Sequence, residues 1–270
     1  MSFNFSCPVC GCLLEKDGGS LRCASGHCFD LAKQGYVNLL RSQKSSAKRH
    51  GDDRLMVKSR SDFLNKGYYD ILARKISERV GELICDDMKL ADLGCGECYY
   101  TAAISEDFPK IDIGGVDISK YALIGGSKRN KSISLAVAST FDLPISDGYC
   151  DCVMSVFAPY SIDEIKRVLK ADGKFIRAYP LEKHLMGLKS MIYDKPYLND
   201  VDRSVPDGFE LMSRDEIGTV VSLDNNSDIE ALFEMTPYYY KTGSKDQSKV
   251  RSLSSLKTEI QFGLDVYRKF

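Results

Sequence analysis

Cysteine and histidine side chains are clustered in the first 30 residues with a spacing that suits a metal. Cys7 and Cys10 form a C-x-x-C pair, and Cys23 and His27 follow after twelve intervening residues. Three thiolates and one imidazole predict a tetrahedral structural Zn²⁺ site, and so short a segment needs a metal to fold. Two further cysteines, Cys12 and Cys28, compete for the fourth position. Cys28 in place of His27 would give a four-cysteine site, and unrelated buried or redox cysteines are the alternative.

A second group of residues lies where an apolar strand runs into a glycine-containing turn. Asp92 precedes this turn, Gly94, Cys95 and Gly96 lie within it, and Asp117 ends the next strand. Glycines there let the backbone approach a ligand, and an acid after the second strand can accept hydrogen bonds from ribose hydroxyls. The D-x-G-x-G pattern is typical of class I S-adenosylmethionine-dependent methyltransferases, in which the first acid can face the cationic methionine end of the cofactor.

Cys98 stands where this pattern usually has a third glycine. The position often serves tight packing, so a small side chain is compatible with it. The main alternative is a nicotinamide-binding Rossmann domain, which uses G-x-G-x-x-G. Tyr99 occupies the place of the final glycine in that pattern, which favours the methyltransferase.

The residues after the fourth strand of such a domain usually face the methyl acceptor. Here they include Phe157 and Pro159, an aromatic ring and a proline that suit a pocket for a base. Plain packing is the alternative interpretation. The residue types in this region identify no general base.

Alternating strand and helix patterns follow from Lys89 and predict a parallel sheet with helices on both faces. We therefore expect an α/β, class I (Rossmann-like) methyltransferase domain with a mostly parallel seven-stranded sheet. Before it, apolar residues from Asp62 to about Leu83 have helical spacing. The predicted strands are Lys89–Leu93, Ile111–Asp117, Ile133–Ala138, Cys152–Phe157, Lys174–Tyr179, Phe209–Leu223 and Glu259–Tyr267. The predicted helices lie near 99–107, 119–128, 161–170, 181–192, 226–235 and 244–256.

The charge is distributed unevenly although the net charge is only −1. Residues 33–60 carry eight Lys or Arg and two Asp, a net charge of +6, which favours either a phosphate-binding arm or a solvated linker. We expect a zinc module at 1–35, a basic linker at 36–60 and a methyltransferase domain at 61–270. No stretch has the roughly 20 apolar residues of a membrane span and no signal peptide is recognisable, so we expect a cytoplasmic protein.

Together these features resemble the bacterial 23S rRNA (guanine-N1)-methyltransferases, the RlmA family. The run 35–40 (GYVNLL) beside the zinc knuckle is the most specific match, and the matches cover nearly the whole chain. The other matching segments are 7–10, 27–30, 33–34, 51–52, Arg60, 63–64, 67–69, 92–97, 99–101, 116–120, 137–139, 143–144, 158–159, 184–186 and 235–237.

The resemblance implies methylation of N1 of one guanine in a 23S rRNA hairpin by a homodimer with a basic cleft. It implies cofactor contacts from the loop at 94–96 and from Tyr69, Tyr100, Thr101 and His184. We also predict a cofactor contact from Ser139. N1 lies on the Watson–Crick edge, so the guanine must be unpaired or flipped out to react. In the basic arm, Lys44, Lys48 and Arg49 are predicted to contact phosphates. A methyltransferase of small molecules or proteins, and a non-enzymatic RNA-binding protein with a degenerate cofactor site, are the alternatives.

Overall fold

The computed structural model describes residues 3–41 and 51–270 and contains eleven strands and nine helices in those ranges. The strands are β1 (Leu14–Asp17), β2 (Ser20–Cys23), β3 (Cys28–Asp30), β4 (Tyr36–Asn38), β5 (Lys89–Leu93), β6 (Asp112–Asp117), β7 (Ser134–Val137), β8 (Cys150–Val156), β9 (Leu169–Pro180), β10 (Phe209–Leu223) and β11 (Leu256–Lys269). The helices are α1 (Arg54–Leu64), α2 (Asp70–Leu83), α3 (Tyr99–Asp107), α4 (Lys120–Arg129), α5 (Ile162–Val168), α6 (Met186–Ile192), α7 (Asn226–Glu234), α8 (Tyr238–Lys241) and α9 (Ser244–Arg251). None of them is both long and apolar enough to cross a bilayer.

The large sheet has the strand order β10-β11-β9-β8-β5-β6-β7-β4. The pairs from β4 to β9 are parallel, and β11 is antiparallel to both of its neighbours. All seven predicted strands are present, with ends that differ by a few residues. The strand order reverses between β5 and β8, and ligands of open α/β sheets bind at the carboxyl ends of the strands at such a point.

The large sheet has eight strands where seven were predicted, and the eighth lies in the segment that we expected to be a linker. Strand β4 lies inside the segment 36–60, where it pairs in parallel with β7, and α1 also begins there, at Arg54. Val37 fits this edge because it is 1% exposed and belongs to the core on one face of the sheet. The polar, basic composition of this segment gave no indication of a three-residue strand, because its partner β7 lies about 100 residues later in the chain.

The predicted single helix from Asp62 to Leu83 is two helices. Helix α1 begins eight residues earlier because Asp53 caps it, accepting hydrogen bonds from the backbone N–H groups of Leu55 and Met56. The turn between α1 and α2 contains Gly67, whose φ of +79° is left-handed and favours glycine. The predicted helix near 181–192 is likewise shorter and begins at Met186, since Leu185 has a φ of +58°.

The N-terminal segment packs on one face of the sheet and shares its hydrophobic core. Phe3 and Phe5 are buried together with Leu93 of β5 and Val116 of β6. Phe3 lies where a side chain on Gly114 would stand, so a glycine in β6 makes room for it. Hydrogen bonds from Ser6 N–H to the Pro144 carbonyl and between the Ser6 and Ser146 hydroxyls add to this contact. Residues 3–14 therefore cover, with α5, one of the two faces on which we expected helices.

Candidate functional site

A cavity of about 670 Å³ opens at the carboxyl ends of β5, β6, β7 and β8, at the point where the strand order reverses. Its volume is in the range of cofactor and small-molecule sites. Nine of the ten residues predicted to bind a cofactor line it, together with Phe157 and Pro159. These nine are Tyr69, Asp92, Gly94, Cys95, Gly96, Tyr100, Asp117, Ser139 and His184. The tenth, Thr101, is fully buried behind Asp92.

Asp92 is the most unusual side chain of the cavity. It is the second-last residue of β5 and is 2% exposed, and its Oδ2 accepts a hydrogen bond of 2.5 Å from the Thr101 hydroxyl. Its Oδ1 is buried and has no hydrogen-bond partner among the described residues. Burial raises the pKa of Asp92 to about 7, because a carboxylate loses its hydration there. A buried carboxylate oxygen without a partner fits a cationic or hydrogen-bonding ligand.

Asp117 holds the glycine turn in place from the end of β6. Its Oδ2 accepts a hydrogen bond of 2.9 Å from Gly96 N–H, and its Oδ1 accepts one of 2.7 Å from Ser119 N–H. Burial nevertheless raises the pKa of Asp117. Gly94 has a φ of +73°, and a side chain there would collide with Ala158, the residue after Phe157. The turn and the loop after β8 are therefore in close contact, which only glycine permits.

Tyr69 and His184 lie 115 positions apart in sequence and meet at the wall of the cavity. The Gln261 N–H donates to Nδ1 of His184 over 3.1 Å, so the ring proton of the neutral imidazole is on Nε2. Nε2 is 3.3 Å from the Tyr69 hydroxyl oxygen, to which it donates, so the tyrosine O–H does not donate to His184. Burial lowers the pKa of His184 to about 3, so the ring is neutral at pH 7. His184 in this arrangement is a donor and not a general base.

Aromatic side chains form the acceptor side of the cavity. Phe157 has a left-handed φ of +57° and is 42% exposed, and its ring lies nearly parallel to that of His184, with ring centres 6.4 Å apart. Phe141 lines the same cavity and is 58% exposed. The two loops are joined by a hydrogen bond from the Thr140 hydroxyl to the Pro159 carbonyl. Exposed aromatic rings on two loops that are hydrogen-bonded to each other suit stacking against a flat ligand.

Arg60 and Asp52 are polar residues of the cavity that were not predicted as site residues, although both belong to the segments that match the family. Arg60 of α1 pairs with Asp52 and donates to the Met235 carbonyl over 3.2 Å, and all three line the cavity. Asp52 is fixed in turn because its carbonyl accepts a hydrogen bond from the Ser119 hydroxyl. The resemblance included the segments 51–52 and 235–237 but assigned no function to their residues. No sequence pattern indicated Phe141.

Cys98 has a left-handed φ of +62°, which explains why glycine is usual at this position. Its side chain points away from the cavity lining toward α4. A side chain on Gly126 of that helix would come within 2.6 Å of the Cys98 Sγ, and one on Gly125 within 3.2 Å of Glu97. Gly126 therefore leaves room for the side chain of Cys98, and Gly125 leaves room for Glu97.

A prediction follows for this contact. We expect Gly126→Ala to destabilise the protein by about 1–3 kcal/mol through overpacking against Cys98. Combining it with Cys98→Gly should restore most of that loss, because the second change removes the sulfur and relieves the left-handed backbone. Urea denaturation of both single variants and the double variant measures the coupling, and additive effects would contradict this packing.

The predicted zinc ligands form one compact cluster. The candidate ligand atoms of Cys7, Cys10, Cys23 and His27 all lie within 4.8 Å of one another, with the sulfurs of Cys10 and Cys23 3.6 Å apart. Such spacing fits four ligands about one zinc ion with bonds of roughly 2.0–2.3 Å. Neither alternative ligand belongs to the cluster: Cys28 is an exposed residue of β3, and the Cys12 sulfur is 3.8 Å from the Ser25 hydroxyl.

Both ligand pairs lie on tight turns that depend on glycine. Gly11, with a φ of +74°, donates its N–H to the Cys7 carbonyl, and Gly26, with a φ of +86°, donates to the Cys23 carbonyl. The N–H of Cys23 in turn donates to the His27 carbonyl. The first turn precedes β1 and the second connects β2 to β3 in a small three-stranded sheet of order β1-β2-β3. Lys44, Lys48 and Arg49 lie outside the described residues.

Comparison with known proteins gives matches over both parts of the chain. A zinc-ribbon family model described as "RlmA, N-terminal" matches residues 5–48, and one described as "Methyltransferase domain" matches residues 91–177. A Streptomyces fradiae protein named 23S rRNA (guanine(748)-N(1))-methyltransferase is 30% identical over 82% of this chain and 80% of its own length.

Two further relatives bear provisional names for a 23S rRNA (guanine-N(1)-)-methyltransferase. The one from Micromonospora griseorubida is 34% identical over 67% of each chain. The one from Bacillus subtilis is 29% identical over 97% of this chain and 95% of its own length. The match to the Bacillus subtilis relative therefore extends over both parts of this chain.

Proposed function

Because the chain belongs to the RlmA family of 23S rRNA (guanine-N1)-methyltransferases, we propose that it transfers a methyl group from S-adenosylmethionine to N1 of a guanine in a 23S rRNA hairpin. The enzyme uses S-adenosylmethionine and carries a structural zinc ion. The observation that best supports a cationic cofactor is the buried, unpartnered Oδ1 of Asp92 at the point where the strand order reverses.

The chain's own residues suggest how the cofactor is held. We assign Asp92 to its cationic methionine end, and Asp117 with the turn at 94–96 to its ribose. The remaining wall is formed by Tyr100 and Ser139, and by Tyr69, whose hydroxyl is oriented by neutral His184. Thr101 acts through Asp92, whose Oδ2 it binds. We assign zinc to Cys7, Cys10, Cys23 and His27.

The acceptor guanine would enter from the exposed side of the cavity. S-adenosylmethionine supplies an electrophilic methyl group to it. Phe157 and Pro159 lie at the end of β8, where the loop touches Gly94, so a base stacked on Phe157 would be close to the cofactor turn. His184 does not accept the N1 proton, because its Nδ1 lone pair receives the Gln261 N–H and its Nε2 is a donor. The residues of the arm, Lys44, Lys48 and Arg49, are proposed to bind RNA phosphates.

The alternative functions lose support. A degenerate cofactor site was suggested only by Cys98, whose side chain packs on Gly126 outside the cavity lining. Family membership disfavours a small molecule or protein as acceptor. The proposal also includes a homodimer acting in the cytoplasm, where ribosomal RNA is found, and light scattering of the purified protein tests the dimer.

The test is methyl transfer from labelled S-adenosylmethionine to unmethylated 23S rRNA fragments, followed by primer extension. Methylation of N1 blocks base pairing, so reverse transcriptase should stop beside one guanine. Absence of any stop at a guanine, with active cofactor present, would contradict the proposal.

Stacking by Phe157 gives a second prediction. We expect Phe157→Ala to lower kcat/KM for the RNA about tenfold or more, since base–aromatic stacking contributes roughly 1–3 kcal/mol per base. Phe157→Tyr keeps an aromatic face and should stay near the wild-type value. Steady-state kinetics and calorimetric cofactor binding separate the two ligands. Equal activity of the alanine and tyrosine variants would argue for plain packing.

A further inference from the structure

A second cavity, of about 530 Å³, lies beside the cofactor cavity at the same edge of the sheet. It is bounded by the end of the zinc module at 30–32, by β4 and by the start of α4. Ile118 lines both cavities, and Gly51 packs against Ile118 and Ser119 between them. The function proposed above makes no use of this space.

Its lining combines aromatic rings with polar side chains. Tyr36 and Tyr121 are half-buried in it, and Asp30 and Asn38 are exposed at its wall. Asn38 Oδ1 accepts the Leu40 N–H, and Asp30 Oδ1 accepts the Ser20 hydroxyl. Among the described residues the amide nitrogen of Asn38 and the second oxygen of Asp30 have no further partner, so they can donate to and accept from a ligand. A cavity of this size with flat rings and a few polar groups suits a nucleotide.

Two cations meet at Tyr121. The guanidinium of Arg54 is 4.9 Å from the centre of the Tyr121 ring, and the Lys120 ammonium is 5.3 Å from it. Neither cation forms an ion pair with an acidic side chain in residues 3–41 and 51–270. Arg54 and Lys120 are also the first residues of α1 and α4, and neither helix has an acid in its first turn.

This placement of charge is unfavourable for the isolated protein. The helix dipole favours anions at an N-terminus, and a cation there costs up to about 1 kcal/mol. The cap Asp53 offsets part of this at α1, where its Oδ1 accepts two backbone N–H groups. Two exposed cations at adjacent helix starts together favour the binding of a phosphate group.

We propose that the second cavity binds an unstacked nucleotide of the substrate RNA, with its base against Tyr36 and Tyr121 and its phosphate at Arg54 and Lys120. The inference rests on the proposed function, since it takes the ligand to be the rRNA hairpin. The shared wall at Ile118 means that this nucleotide would lie near the target guanine. Binding there would connect the end of the zinc module to the active site through the RNA.

Equilibrium binding of the zinc-loaded, full-length protein to a fluorescent 23S rRNA hairpin tests the proposal. We expect Tyr121→Ala to weaken binding about tenfold, and Tyr121→Phe to bind like the wild type. Lys120→Glu should weaken binding and reduce the slope of log Kd against log salt concentration by at least about one. Lys131→Glu, just beyond the other end of α4, makes the same charge change and should have much less effect.

Photo-crosslinking to hairpins containing 4-thiouridine supplies an independent readout. Mass spectrometry should find nucleotide adducts on peptides containing Tyr36 or Tyr121, while cofactor affinity is unchanged in the variants. Adducts only elsewhere, or equal binding by Lys120→Glu and Lys131→Glu, would overturn the inference. If the wild type methylates the hairpin while the Tyr121 and Lys120 variants bind normally, this inference alone fails. Absence of methylation by the wild type would instead contradict the proposed function.

Discussion

Replacement of Asp92 by asparagine is expected to weaken S-adenosylmethionine binding about 100- to 5000-fold and to stabilise the cofactor-free protein above pH 7. The binding loss follows because removal of one partner from a buried charge pair costs about 3–5 kcal/mol. The stability gain follows from the raised pKa. A pKa near 7, against 3.8 for an exposed aspartate, corresponds to about 4 kcal/mol of unfavourable carboxylate burial.

The pH dependence of this effect has a definite sign. Between about pH 4 and 7 the folded state binds a proton at Asp92 that the unfolded state has lost, so the stability falls as pH rises through this range. Asparagine carries no charge, so the variant does not lose stability as the pH rises, but its buried amide is itself unfavourable. We therefore expect the free energy of unfolding to increase by about 1–3 kcal/mol at pH 8 and to change little at pH 4.

Urea denaturation at both pH values and calorimetric titration at pH 8 measure the two effects. Thr101→Val should also weaken cofactor binding, because Asp92 then loses the hydrogen bond at its Oδ2, whereas Thr101→Ser should not. Destabilisation of Asp92→Asn at pH 8, or unchanged cofactor affinity, would contradict the role assigned to this carboxylate.

Loss of zinc is expected to destabilise the whole protein by more than about 4 kcal/mol and to abolish RNA methylation. Structural zinc contributes about 10–16 kcal/mol in small peptides. Cys7 and Cys23 are buried in the same core as Phe3, Phe5 and Leu14, which also covers one face of the large sheet. Opening the module therefore exposes apolar surface of the methyltransferase domain as well as its own.

Cys23→Ala tests this prediction, and Cys28→Ser is its matched control because Cys28 lies outside the ligand cluster. We expect the first variant to lose bound zinc and to melt at least 10 °C lower, and the control to keep both properties. Elemental analysis and thermal unfolding provide the readouts. Zinc loss in the control, with zinc retained in Cys23→Ala, would favour a different ligand set.

Local patterns were sufficient for the elements that hold the cofactor turn. Lys89–Leu93 was predicted to the residue because an apolar run ends in a turn of fixed chemistry, and the ends of β10 were equally clear. The zinc cluster could also be predicted from the sequence, because its ligands lie close together in the chain and need few tertiary contacts. In both cases the determining interactions are local.

The features that could not be predicted from the sequence depend on contacts between residues far apart in the chain. Tyr69 and His184 were named through the resemblance alone, since their hydrogen bond depends on the packing of α2, β9 and β11. Strand β4 is defined only by its pairing with β7, about 100 residues away, and its composition is that of a loop. The exposed ring of Phe141 belongs to no sequence pattern, and its position depends on the loop after β7.

The central claim is that the acceptor atom is N1 of one guanine, and nucleoside analysis tests it most directly. A 23S rRNA hairpin is incubated with the zinc-loaded protein and S-adenosylmethionine, digested to nucleosides and analysed by mass spectrometry against authentic methylated standards. We predict one 1-methylguanosine per hairpin with the wild type and almost none with Asp92→Asn. A different methylated nucleoside, or no methylated product from the wild type, would contradict the account.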